Sequence, residues 1–334
     1  MELSASEIQL LASLARAQQK DLPSDQNTLE ADADRFWIFK ENWKDAYDSL
    51  RAKGLIEGDA SGYRLTASGK PISLEYHHQR PDMYWYYYQK FYQAAQSSAA
   101  HSKLCHRVFG ADHCQEGQTD MEAFDFMLDR LGVSSTDHLL DLGCGAGGQA
   151  AYISDKTGAT VHGIDYSDHA IAEAKRLTNT RQNRLSFAFG DMNNLDLPPH
   201  HFTKVISVDT LYWAADLKQT LRKLKAAVRP GGSIGVYMNH HIQSATDKAM
   251  FGVDNTDLSR ALSETGLEYE TYDFTENISR FWKRNLETAV DLKSEFEAEG
   301  NGFIAASLIR EAEEDYLPDI RNNNIARHLY HVHV

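Results

Sequence analysis

The densest run of chemistry-bearing residues is LLDLGCGAGGQAAYI, in which an apolar stretch meets Gly143, Gly145 and Gly147 at alternate positions and then takes on helical texture. Glycines at a strand-to-helix turn let the backbone approach a bound group closely, with the N–H groups of the helix start facing it. Three acidic residues recur at matching places. Asp165 closes VHGID, twenty-four residues beyond Asp141; Asp191 follows LSFAFG; Asp209 closes KVISVD. Open parallel sheets collect ligands at the carboxyl ends of their strands, so these side chains converge on one crevice. An acidic side chain at Asp165 can accept hydrogen bonds from both hydroxyls of a ribose.

Two nucleoside cofactors suit such a crevice, a dinucleotide and an adenosyl sulfonium. The dinucleotide fingerprint is G-x-G-x-x-G, whereas this chain reads D-L-G-C-G-A-G-G, with Asp141 two residues ahead of Gly143. A carboxylate there repels a diphosphate and welcomes an ammonium group, which favours S-adenosylmethionine over a nicotinamide dinucleotide. Methyl transfer is a direct displacement at carbon, accelerated by positioning and desolvation, and a nitrogen or oxygen acceptor must also lose a proton. Candidates around the acceptor are Asp209, Tyr212 and Trp213 in DTLYW, then His240 beside His241. His331 and His333 share a strand face by period-two spacing, but no carboxylate or cysteine stands at metal-ligand spacing beside them, so no metal is expected. Cys105, Cys114 and Cys144 lack C-x-x-C spacing and are odd in number, which fits a reducing compartment.

The elements that must hold these residues follow from regular alternation after His138. DHLLDLG, TVHGID, LSFAFGD, KVISVD and SIGVYMN read as strands separated by helical runs, the pattern of an α/β Rossmann-like sheet, mostly parallel and seven-stranded once LEYETYDF and ARHLYHVHV join it. This domain spans 137–334, with an insertion at 275–324 that holds two helical stretches beside the site. Residues 1–80 read as helix, helix and hairpin, a winged-helix-like outline, with the second helix from Phe36 to Leu55. Acidic residues outnumber basic ones there, which favours dimerisation or capping over DNA binding. Residues 81–136 form a helical connector in which seven of the nine positions from Tyr84 to Tyr92 are aromatic. A helix ringed on every side must be wrapped by other structure. Tyr84, Tyr88 and Tyr92 share one face, and at least one is expected to reach the pocket; Tyr88 is the candidate for cation–π contact with a cationic centre.

Length and charge set the remaining bounds. The 334 residues suggest two domains, and the formal net charge of −14 disfavours nucleic acid and anionic membranes as partners. The N-terminal run lacks a signal peptide's unbroken apolar core, and no window is long enough to span a bilayer, so a cytoplasmic homodimer is expected.

The stretch from His138 to Met238 resembles class I S-adenosylmethionine-dependent methyltransferases. Residues 105–240 also resemble small-molecule methyltransferases of the phosphoethanolamine and sarcosine/glycine type, through VFGADHCQEGQTDMEAFDFML and GATVHGIDYS. The resemblance implies that Asp141, Gly143, Cys144, Gly145 and Gly147 cradle the methionyl part, that Asp165 holds the ribose and that Tyr166 lies against the adenine. Asp191 would accept from the adenine amino group while Met192 packs on its ring, and Asp209 would close the cofactor site where the acceptor enters. The phosphoethanolamine enzymes use a Tyr–His pair at this point; here Trp213 preceded by Tyr212 takes the place, so that pair is absent. The expected activity is methyl transfer to a small polar metabolite, on nitrogen or sulfur in preference to oxygen. The alternatives are a winged-helix regulator that senses S-adenosylmethionine and a peptide or protein methyltransferase.

Overall fold

A computed structural model describes residues 3–19, 22–36, 43–73, 82–241 and 255–334. The chain divides into two units, Met1–Phe91 and Tyr92–Val334. In the first, helices α1 (Ala5–Gln19), α2 (Gln26–Phe36) and α3 (Trp43–Ala52) precede a hairpin of β1 (Ile56–Asp59) and β2 (Gly62–Leu65). The helix expected from Phe36 to Leu55 is seen only as α3, because residues 37–42 lie outside the described ones. Helix α2 is an addition: QNTLEADADRF buries only Leu29 and Ala33 among its described side chains, too sparse a stripe to read as a helix from periodicity. Leu11, Leu14, Leu29, Tyr47, Leu50 and Tyr63 build the core, with the Tyr47 and Tyr63 rings stacked at 4.4 Å. The aromatic segment forms α4 (Asp82–Ala95), in which Tyr87, Phe91 and Tyr92 are buried and Tyr88 is half-buried.

The second unit begins with α5 (Ala99–Val108) and α6 (Met121–Leu131) and then enters the alternating region. Its elements are β3 (His138–Leu142), α7 (Gly148–Thr157), β4 (Thr160–Asp165), α8 (Asp168–Leu177), β5 (Leu185–Phe189), β6 (Phe202–Val208), α9 (Leu217–Ala227), β7 (Val228–His241), α10 (Asp257–Glu264) and β8 (Glu268–Asp273). The chain ends on β9 (Ile325–His333), and the seven strands stand in the order β5-β4-β3-β6-β7-β9-β8. Every pair is parallel except those made by β9, which runs antiparallel to both β7 and β8. Neighbouring residues of β3 serve opposite faces: Leu139 packs with the side chains of α6, α7 and α8, and Leu140 with those of α9 and α10. Central strands buried on both faces read as continuous apolar runs, which is why β3 was plain in the sequence.

No α-helix intervenes between β5 and β6, only a 3₁₀ turn at Met192–Asn194. A cavity of about 540 Å³ therefore opens there, lined by His162, Ile164, Ser186, Phe189 and Asp191 among others. The insertion corrects the sequence expectation of two helices. It holds α11 (Thr275–Asp291), α12 (Lys293–Ala298), α13 (Gly302–Arg310), a π-helical turn at Glu311–Tyr316 and α14 (Leu317–Arg321). Leu292 and the Gly300–Asn301 pair break the first run, Gly300 with a left-handed φ of 75°. No helix among the described residues is long and apolar enough to cross a membrane.

Candidate active site

Strand β3 delivers Asp141 to the carboxyl edge of the sheet. Its side chain belongs to a residue only 2% exposed, and among the described residues Oδ2 has no hydrogen-bond partner. Burial, and then the nearby Asp165 carboxylate, push its pKa up to about 7. The loop that follows is tied to β4: Gly143 N and Cys144 N both donate to Ile164 O, at 2.7 and 3.1 Å. Gly145 N donates to Asp165 Oδ2 and Ser167 N to Oδ1, each at 2.9 Å. Burial raises the Asp165 pKa to about 6, while these backbone donors pull it back. The carboxylate thus holds the loop through both oxygens, and a lone pair left on it can accept from a ribose hydroxyl.

Two glycines are required by contact as well as by backbone. A Cβ at Gly145, whose φ is 53°, would collide with Tyr92 Oη, and one at Gly143, with φ 84°, would collide with the Thr210 side chain. Gly147 then begins α7 with no side-chain cap. Cys144 is buried, and desolvation holds its thiol well above the ordinary range, so it is no thiolate nucleophile. Asp191 caps the 3₁₀ turn, its Oδ1 accepting from Asn193 N at 2.8 Å and Asn193 Nδ2 at 3.0 Å. Met192 packs against the core, and Tyr166 is half-buried just beyond Asp165.

The acceptor-side candidates diverge in their surroundings. Asp209 has a left-handed φ of 56° and a carboxylate bonded through both oxygens. Arg327 Nη1 donates to its Oδ1 at 2.6 Å and Nη2 to its Oδ2 at 3.1 Å; Gln118 N and Thr119 Oγ1 add bonds of 2.9 and 2.7 Å to Oδ2. Arg327 is 0% exposed and also donates to Asn239 Oδ1 at 2.7 Å. Tyr212 packs on the core with its ring 5.2 Å from Trp213, and burial raises its phenol pKa. His240 shares a 2.8 Å hydrogen bond with Tyr330 Oη; burial, followed by His328 and His241, lowers its pKa to about 3. His331 and His333 sit with ring centroids 4.5 Å apart. Tyr88 lies in the Met1–Phe91 unit, its ring 5.4 Å from Tyr87, and the side chain of Tyr84 lies outside the described ones.

Asp141, the glycine loop, Asp165 and Tyr92 thus meet in one place, and Thr210 joins them from the end of β6. Sequence reasoning missed Arg327, Gln118 and Tyr316. The available signal was Arg327 itself, the one Lys or Arg in the strand pattern ARHLYHVHV. Among the described residues, no group of three or more His, Cys, Asp or Glu side chains is arranged to hold a metal ion.

The strand order, with one antiparallel strand seated between β7 and β8, defines the Rossmann-like methyltransferase fold. Residues 139–232, a stretch that contains the glycine loop and the strand-end acids, match the family described as "Methyltransferase domain". The methyltransferase GfsG of Streptomyces halstedii is 30% identical over 112 residues, which is 33% of this chain and 40% of that protein. A sterol 24-C-methyltransferase of Eremothecium gossypii is 31% identical over 114 residues, 34% of this chain and 31% of that one. The matching stretch therefore spans less than half the length of either relative. Haemonchus contortus phosphoethanolamine N-methyltransferase 2, solved with phosphomonomethylethanolamine and S-adenosylhomocysteine, shares the fold at a TM-score of 0.53 and 20% identity, covering 73% of this chain and 60% of that one. S-adenosylmethionine is the cofactor of this domain class, and the site fits it: a partnerless buried carboxylate oxygen suits an ammonium, and a glycine loop carries the adjoining contact surface.

Proposed function

We propose that this chain transfers a methyl group from S-adenosylmethionine to a small polar metabolite, on nitrogen or sulfur in preference to oxygen. The observation that carries the proposal is Asp141: a buried carboxylate with an unpaired oxygen at the mouth of the glycine loop calls for a cation. In this reading Asp141 takes the cofactor's ammonium, the Gly143–Gly147 loop lies along the methionyl chain, and Asp165 accepts from the ribose. Tyr166, Asp191 and Met192 border the adenine. When bound, the cofactor supplies an activated methyl group.

The chain's own part on the acceptor side is positioning and the exclusion of water. Asp209 is bound to Arg327, Gln118 and Thr119, so it anchors the loop bearing Tyr212 and Trp213. His240, with a conjugate-acid pKa near 3, is a feeble base at neutral pH, which favours an acceptor that needs none, a thioether or an already neutral amine. Tyr92 sets the hydroxyl end of its ring against Gly145, beside the cofactor loop. A homodimer in the cytoplasm, with a winged-helix-like N-terminal unit and no nucleic-acid partner, completes the proposal; the −14 net charge supports its last part.

The test is incubation with methyl-labelled S-adenosylmethionine and a pooled metabolite extract, with the product identified by mass. Tight cofactor binding with no labelled product in any pool would overturn methyl transfer and leave a cofactor-sensing protein.

A further inference from the structure

Beyond Asp209, the buried polar groups form a chain whose donor and acceptor roles are fixed by elimination. Arg327 can only donate, so the Asn239 atom it touches at 2.7 Å is Oδ1 and the other Asn239 atom is the amide nitrogen. That nitrogen donates to Gln118 Oε1 at 2.6 Å, and Trp282 Nε1, which can only donate, reaches the same oxygen at 3.1 Å. Gln118 must therefore turn Nε2 outward, and it donates to Tyr316 Oη at 2.6 Å. The Tyr316 ring is clamped on Trp282, with centroids 4.0 Å apart and planes 14° from parallel. Its oxygen is thus an acceptor in the chain, and among the described residues its own proton meets no acceptor. Burial also holds the phenol above its ordinary pKa, so that proton stays in place. Tyr316 closes a π-helical turn, a feature found frequently at functional sites.

Resting on the methyl-transfer reading, we propose that Tyr316 is the specificity-determining donor of the acceptor site and that the methyl acceptor presents an oxygen lone pair to it. Carboxylate, carbonyl and hydroxyl oxygens satisfy this requirement; a hydrocarbon edge does not. The amide dipoles of Asn239 and Gln118 run head to tail from the Arg327 guanidinium, so the free hydrogen is the positive end of an oriented row. A site built around such a donor discriminates strongly against ligands that leave it unpaired.

The experiment uses wild type and Tyr316→Phe, both first titrated with S-adenosylhomocysteine. Each is then incubated with methyl-labelled S-adenosylmethionine and two extracts of one cell mass, aqueous methanol and hexane. The expected result is label in an oxygen-bearing product from the aqueous pool. Tyr316→Phe should raise KM for that acceptor about 10- to 100-fold, with kcat within a few-fold and cofactor affinity unchanged. A structural role alone would lower stability and cofactor affinity without this KM effect, and melting curves separate the two. Label in a hexane-pool hydrocarbon, or an unchanged KM in the variant, overturns this inference while methyl transfer stands. Cofactor binding with no labelled product from either pool overturns both.

Discussion

Replacing Asp141 with asparagine should erase the pH dependence of cofactor binding. Burial and Asp165 carry the Asp141 carboxyl from an ordinary 3.8 to about 7, so near pH 6 most of it is protonated in the free protein. An ammonium group requires the ionised form, so binding expels about one proton and affinity falls roughly tenfold per pH unit below about 7. Between pH 7.5 and 5.5 that amounts to about 30-fold, steepening near the lower end as Asp165 also takes up a proton around 6. Calorimetry with S-adenosylhomocysteine in two buffers of different ionisation enthalpy reads both the slope and the proton count. Asp141→Asn should bind at or below the wild-type pH 5.5 affinity, with the Asp141 step removed. The free protein's stability must move the opposite way. Between pH 4 and 7 the folded state holds a proton that the unfolded chain has lost, so unfolding becomes easier as pH rises, by on the order of 4 kcal/mol in all. Asp141→Asn removes that penalty and leaves its amide short of partners, at about 1–3 kcal/mol, so the free variant should match or exceed wild-type melting at pH 8 and fall below it at pH 4. Equal binding slopes in wild type and variant would refute the ammonium assignment and pass the proton to Asp165, which Asp165→Asn would reveal.

Gly145→Ala places a methyl against Tyr92 Oη on a left-handed backbone, and calorimetry should show at least a tenfold loss of cofactor affinity, partly restored by adding Tyr92→Ala. Arg327→Met leaves Asp209 charged and buried, and urea unfolding should show about 3–5 kcal/mol lost; the Asp209→Asn, Arg327→Met pair should cost less than the two single changes added together. Cys144, desolvated with its thiol held protonated, should resist iodoacetamide at pH 7.5 in the native protein and react at an ordinary rate in urea, as peptide mapping would show.

What the sequence disclosed and what it hid divide by distance along the chain. The glycine loop and the strand-end acids follow from local pattern, since each lies at the end of an apolar run whose direction dictates where the side chain emerges. Arg327 and Asp209 are 118 residues apart, and Gln118 and Tyr316 198 apart, so no periodicity within one element announces them. Helix α2 escaped because two buried apolar residues make no stripe. The insertion was undercounted because its helices meet at Leu292 and Gly300–Asn301, breaks too short to stand out in a polar, helix-rich composition. Asp209 stands at a strand end, yet its neighbours decide its chemistry: a carboxylate paired with a buried guanidinium and holding four donors, three of them on Oδ2, is committed to the lattice around it.

That lattice also explains how the two halves of the crevice are joined. A left-handed φ at a non-glycine residue costs roughly 1–2 kcal/mol, and the bonds from Arg327, Gln118 and Thr119 offset it at Asp209. The turn so enforced brings Thr210 back onto the glycine loop, where its Oγ1 donates to Leu142 O at 2.8 Å and, having given its proton, accepts from Ser207 Oγ at 2.7 Å. Its methyl group fills the space a Cβ at Gly143 would need. Gln118, bound through its backbone to Asp209 and through its side chain to Tyr316, extends the same framework to the insertion. The cofactor loop, the Tyr212–Trp213 turn and the π-helical turn therefore share one buried anchor, the Arg327 guanidinium. Loosening that anchor should degrade cofactor and acceptor binding together, whereas Asp141→Asn acts on the first and Tyr316→Phe on the second.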